Sequence, residues 1–135
     1  MSDIVIPEST EQVIADSTFR FAGVYAWASV RDARDNGRHF MITRDDREIT
    51  VVTAPENLAS LDVVAVNQDR WLLLSIDCAN PFYCVGFIAR IATRLSAAGI
   101  DILVVSTFSR DCVFVKEEDG PRAAELLRVI GFSEA

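Results

Sequence analysis

The sequence predicts an α+β fold: antiparallel sheet with helices on one face, in two intertwined units. Three observations lead there. Short runs rich in Val, Ile and Phe are bounded by turn residues. Two stretches of the C-terminal half carry apolar residues at helical spacing. In that half the segments come in the order strand, helix, strand, strand, helix, which is the ferredoxin-like βαββαβ unit without its last strand.

The C-terminal elements are the clearer ones. Trp71 to Cys78, "WLLLSIDC", reads as a buried strand. Asn80-Pro81 then offers an N-cap and a first-turn proline, so a helix is expected to open there. Ile88, Ile91, Ala92 and Leu95 form its apolar face, and Gly99 is its stop. "IDILVVSTF" and "DCVFVK" are the next two strands. Asp119-Gly120-Pro121 opens a second helix, whose buried face is Ala123, Leu126, Leu127 and Ile130 and whose end is Gly131. With Ala135 the last residue, the missing strand is expected to come from the N-terminal half.

That half reads as strand-rich. Phe19 to Val30 holds aromatic and β-branched residues, followed by a polar turn with Asn36-Gly37. Phe40 to Thr43 and Glu48 to Thr53 flank the hairpin tip Arg44 to Arg47. Pro55 to Ser60 has the makings of a short helix, and Leu61 to Val66 is another strand. Lacking a long first helix, residues 1–66 look like a reduced copy of the unit formed by 67–135. Residues 1–16 carry no firm element and are expected to be partly mobile.

Composition narrows the function classes. Half of the 135 residues are apolar, and 13 basic against 20 acidic residues give a net charge of −7. That balance disfavours nucleic acid and anionic lipid as partners, both of which attract basic faces. No apolar run approaches a membrane span, and the acidic start "MSDIVIPESTEQ" lacks the basic head of a secretory signal. Cys78, Cys84 and Cys112 sit in apolar surroundings and read as reduced core thiols of a cytoplasmic protein. No CxxC occurs, and the one histidine, His39, has no evident partner ligands, so neither a metal nor a cofactor is expected. Nothing matches a phosphate-binding loop, a nucleophile elbow or a zinc-protease motif, and no catalytic residue is expected.

One stretch does carry chemistry. "STFSRDCVFV", Ser106 to Val115, interrupts two greasy strands with hydroxyls and Asp111. Together with "RDDREITVV", the Val85-Gly86 pair and Ala98-Gly99-Ile100, it resembles the small bacterial ACT-domain proteins over roughly residues 40 to 131. These are related to the CASTOR-type arginine sensors and to the regulatory domains of aspartate kinase. The resemblance implies a tandem ACT arrangement that binds a small amino acid and regulates, without catalysis, as a homodimer or on a partner protein. It places ligand at the first strand-to-helix loop and at the joint of the second and third strands. Here these are Asn80, Tyr83, Cys84, Val85 and Gly86, and Ser106, Thr107, Phe108 and Asp111.

The residue types suit a zwitterion. A helix N-terminus offers free N–H groups to a carboxylate. Asp111 offers charge-assisted hydrogen bonds to an ammonium or guanidinium. Thr107 adds a hydroxyl, and Gly86 allows close approach. The bland readings are a turn-capping Asp111, strand-end hydroxyls and a Gly86 kept for packing. Where arginine-sensing relatives place an acid before the aliphatic-Gly pair, this chain has Phe82-Tyr83-Cys84, which disfavours arginine. An interaction module that keeps the fold without the ligand is the alternative.

Overall fold

The computed structural model describes residues 9–135. Its organising element is β1 (Thr18–Val30), long enough to serve two sheets. Residues Ala26 to Val30 pair antiparallel with β3 (Ile49–Thr53) on one edge, and Ala28 to Val30 with β4 (Val63–Val66) on the other. Residues Thr18 to Tyr25 pair antiparallel with β5 (Trp71–Asp77). The register descends from Val66 opposite Ala28 to Trp71 opposite Tyr25, so β4 and β5 follow each other along one edge. β2 (His39–Arg44) completes the N-terminal side on β3.

Beyond β5 lie β7 (Arg110–Lys116) and then β6 (Ile102–Ser106), all antiparallel, giving the order β2-β3-β1-β5-β7-β6. Within it, β1-β5-β7-β6 is the antiparallel sheet of a ferredoxin-like α+β fold. α2 (Phe87–Ala97) and α3 (Gly120–Ile130) cover one face of that sheet. Their buried residues, Phe87, Ile91, Leu95, Ala123, Ala124 and Leu127, meet Leu74, Ile76, Val113 and Val115 in the main core. Alternation along β7 sends Cys112 and Phe114 to the opposite face. There the sheet curls over itself: the Phe114 ring meets Tyr25, Trp27 and Phe40 edge-on, at centroid distances of 5.9, 5.6 and 5.6 Å. A third cluster, Ala28, Val30, Ile49 and Val51, is closed by Leu58 of the 3-10 segment Pro55–Ser60.

Three sequence expectations need correction. α2 opens at Phe87, not at Asn80-Pro81. Phe82 and Gly86 both have positive φ, +71° and +82°, which no right-handed helix accommodates, so residues 79–86 turn instead. A two-residue downstream strand does exist, β8 (Ser133–Glu134), but it pairs parallel with Thr18 and Phe19 on the β1 edge opposite β5, and the place beside β5 is held by β1 of the N-terminal half. Of residues 1–16, the first eight lie outside the described residues, and so does most of the acidic N-terminal stretch. The remainder forms α1 (Thr10–Ala15), N-capped by the Ser9 side chain on the Gln12 amide. Buried Ser17 then ties this helix to the start of the 79–86 loop, donating to the Val13 carbonyl and accepting from the Ala79 amide at 2.9 Å.

Candidate functional site

A cavity of about 200 Å³ opens where β5 gives way to α2 and faces the β6–β7 turn. Asn80, Pro81, Phe82 and Cys84 line it from the loop, and Phe87 and Ile88 from the first turn of α2. Ser106 to Asp111 line it from across the sheet. Drug-sized pockets run from about 300 to 1,000 Å³, so this one suits a small ligand.

The acid of this site is held in place. Ser106 and Asp111 are cross-strand neighbours, and the Ser106 hydroxyl donates to Asp111 Oδ1 at 2.7 Å. Position 111 shares the helix-covered face with Val113 and Val115, which directs its carboxylate toward α2. The turn that presents it is closed by the Thr107 amide donating to the Arg110 carbonyl at 2.8 Å. The Thr107 hydroxyl donates to the same carbonyl at 3.3 Å, so its proton is committed to the turn. Cys78 also lines the cavity; burial pushes its thiol pKa up, and the nearby Asp111 and Cys84 add to that.

The rim is apolar. Phe82 and Phe108 meet edge-on at 5.3 Å while remaining 72% and 83% exposed. Phe82 holds its position with a left-handed backbone, a conformation that costs an L residue free energy and clusters at ligand clamps.

Of the residues expected at the site, Asn80, Cys84, Ser106, Thr107, Phe108 and Asp111 share the cavity. Tyr83, Val85 and Gly86 do not line it. Val85 is 87% exposed and its carbonyl accepts from Thr10 of α1, while Gly86 is the left-handed N-cap of α2. Cys78, Phe87 and Ile88 line the cavity from outside the two segments that the resemblance indicated. Phe108 in a polar turn was the available signal for one side of the rim, whereas Phe82 sits in a largely apolar loop. Phe87 and Ile88 followed from nothing but the true start of α2.

His39 is engaged structurally, with Nδ1 2.8 Å from the Thr53 hydroxyl. Among the described residues no cluster of three His, Cys, Asp or Glu side chains is arranged to hold a metal ion. No helix among them is long and apolar enough to cross a membrane.

Residues 66–129 match the family model of the ACT domain. The matched segment runs from the last residue of β4 into the last turn of α3 and so contains every residue of the cavity. Among solved structures, a protein from Agrobacterium tumefaciens is 28% identical with a TM-score of 0.72, over 88% of this chain and 92% of that one. A Vibrio cholerae protein of unknown function, described as a possible transport protein, is 23% identical with a TM-score of 0.73, over 90% and 94%. The ligand-free regulatory subunit of aspartate kinase from Thermus thermophilus shares the fold at 12% identity, with a TM-score of 0.61 over 83% and 95%. A search of curated proteins finds no match.

Proposed function

We propose that this chain is a non-catalytic regulatory module that binds a small amino acid in the cavity between α2 and the β6–β7 turn. The observation that carries the reading is the facing of Asp111 and the first turn of α2 across one small cavity. The carboxylate takes the ammonium, and the helix end takes the carboxylate of the same zwitterion. Phe82 and Phe108 close over its side chain. Asp111 is the only acid in the lining, which leaves a guanidinium without a second carboxylate and favours a small or apolar amino acid over arginine.

The ACT match indicates no catalytic family, and the fold likeness to an aspartate kinase regulatory subunit supports a role in regulation. In this reading residues 1–66 act as a reduced second unit intertwined with 67–135, and the module works in the cytoplasm as a homodimer or on a regulated partner protein. Output follows from ligand favouring one arrangement of units over another.

A thermal-shift screen over the amino acids tests it. A ligand that binds the native state raises the melting temperature as RT ln(1 + [L]/Kd). Asp111→Ala is expected to erase the shift, and a shift that survives in that variant refutes the site. A flat screen at millimolar ligand favours the second reading, an ACT-fold interaction module without ligand. The exposed Phe82 and Phe108 rings are the feature that supports that alternative.

A further inference from the structure

On the sheet face opposite the helices lies a separate cavity of about 410 Å³, between the first half of β1, β5 and β7. Its floor is a cross-strand row. Arg20 on β1 stands opposite Ser75 on β5, and Ser75 stands opposite Cys112 on β7. Arg110, two residues from Cys112 and therefore on the same face, adds a second guanidinium. Tyr25 and Phe40 wall the far side.

Three facts make this more than a surface dent. Ser75 is only 6% exposed as a residue and lines the cavity, so the strand pairing fixes its position there. Neither Arg20 nor Arg110 has a carboxylate within 4.0 Å among those residues, although the chain carries an excess of acids. Asp77, which faces Arg110 across β5 and β7, does not line the cavity, and Asp111 is turned to the other face.

The backbone is shaped to open the space. The β1–β5 register slips between Phe21 and Val24, and the bulge holds Gly23 at φ +103°. The freed Ala22 carbonyl accepts from the Tyr25 hydroxyl at 3.1 Å, which fixes that wall. Burial, reinforced by Asp111, pushes the Cys112 thiol up, so the floor carries no thiolate to repel an anion.

We propose that this cavity is a second small-molecule site, in which Arg20 and Arg110 clamp an oxyanion group, carboxylate or phosphate, against the Ser75 hydroxyl. The two guanidiniums only donate, and the Ser75 hydroxyl can donate beside them, a set that complements an oxyanion. Arg110 and Thr107 border both cavities, so an anion bound here abuts the turn that presents Asp111.

Titration calorimetry of the full chain with inorganic phosphate and, separately, with acetate tests the site. Saturable binding of either is expected, and the preferred anion identifies the group. Arg20→Gln, at an exposed position, is expected to weaken it about tenfold or more, the scale of a lost charge-assisted bond. Ser75→Ala weakens it less and serves as a second variant that leaves both arginines in place. The amino-acid thermal shift is expected to survive in Arg20→Gln, since Arg20 does not line the other cavity, which separates this site from the amino-acid cavity. Absence of saturable binding for both anions, or affinity unchanged in Arg20→Gln, overturns the proposal.

Discussion

Ser106 and Asp111 stand opposite each other at the ends of β6 and β7, joined by a hydroxyl–carboxylate hydrogen bond of 2.7 Å. The bond orients one oxygen of Asp111 and leaves the carboxylate aimed at α2. Ser106→Ala is therefore expected to keep the fold but loosen the acid. Amino-acid affinity should fall by a factor of a few to ten, corresponding to about 1 kcal/mol for one hydrogen bond. Calorimetric titration of an amino acid found in the screen checks this, and unchanged affinity would show that Asp111 needs no help from Ser106.

Ser17 is buried and bridges α1 to the loop that begins the site, through Val13 and Ala79. Ser17→Ala leaves the Ala79 amide without its acceptor in a partly buried setting. The expected cost is about 1–3 kcal/mol, measured by urea unfolding. Hydrogen exchange at Ala79 should quicken by more than the global loss explains, because the loop loses its local anchor.

Phe114 is fully buried and is touched by three other rings, whereas Phe108 is mostly exposed at the cavity rim. Phe114→Ala should cost about 3–5 kcal/mol, since a ring-sized void opens where the curled sheet folds on itself. Phe108→Ala should stay within about 0.5 kcal/mol. Denaturant unfolding of both variants tests the contrast, and equal losses would mean that the curl does not depend on the Phe114 cluster.

Acid should weaken the fold in part through two exposed carboxylates. The Arg90 guanidinium bonded to Glu11 holds that carboxyl below its usual range, and the amides of Arg47 and Glu48 do the same for Asp45. Both groups bind protons more weakly folded than unfolded. Their stabilisation is complete above the ordinary carboxylate range and drains away as the pH falls through it toward the lowered folded values. Stability measured against pH should have a shallower acid limb in Asp45→Ala and in Glu11→Gln. A limb unchanged in both variants would assign acid unfolding to other groups.

Much of the site was legible before the fold. The Ser-Thr-Phe…Asp string marked one wall of the cavity, because polar residues between two apolar strands need a local reason. Asn80 and Cys84 came from the resemblance, which points to the loop after β5. The start of α2 was misread, because Asn-Pro is a good opening for a helix and nothing local announces that Phe82 adopts a left-handed backbone. The true start of α2 is what brings Phe87 and Ile88 to the cavity, while Tyr83, Val85 and Gly86, indicated by the resemblance, lie outside its lining. Arg20 and Ser75 were not singled out at all. They are 55 positions apart in the chain and meet only by strand register.

What the sequence determined by itself was local: strand periodicity, the apolar faces of α2 and α3, and the acidic turn at β6–β7. These follow from side-chain spacing within a few residues, where pattern and geometry are directly linked. Tertiary structure decided which β1 residues lie beside β5, how far the sheet curls, and hence which polar groups face one another. Those outcomes depend on pairing between distant strands, where a shift of one residue exchanges the two faces and no nearby pattern records the choice.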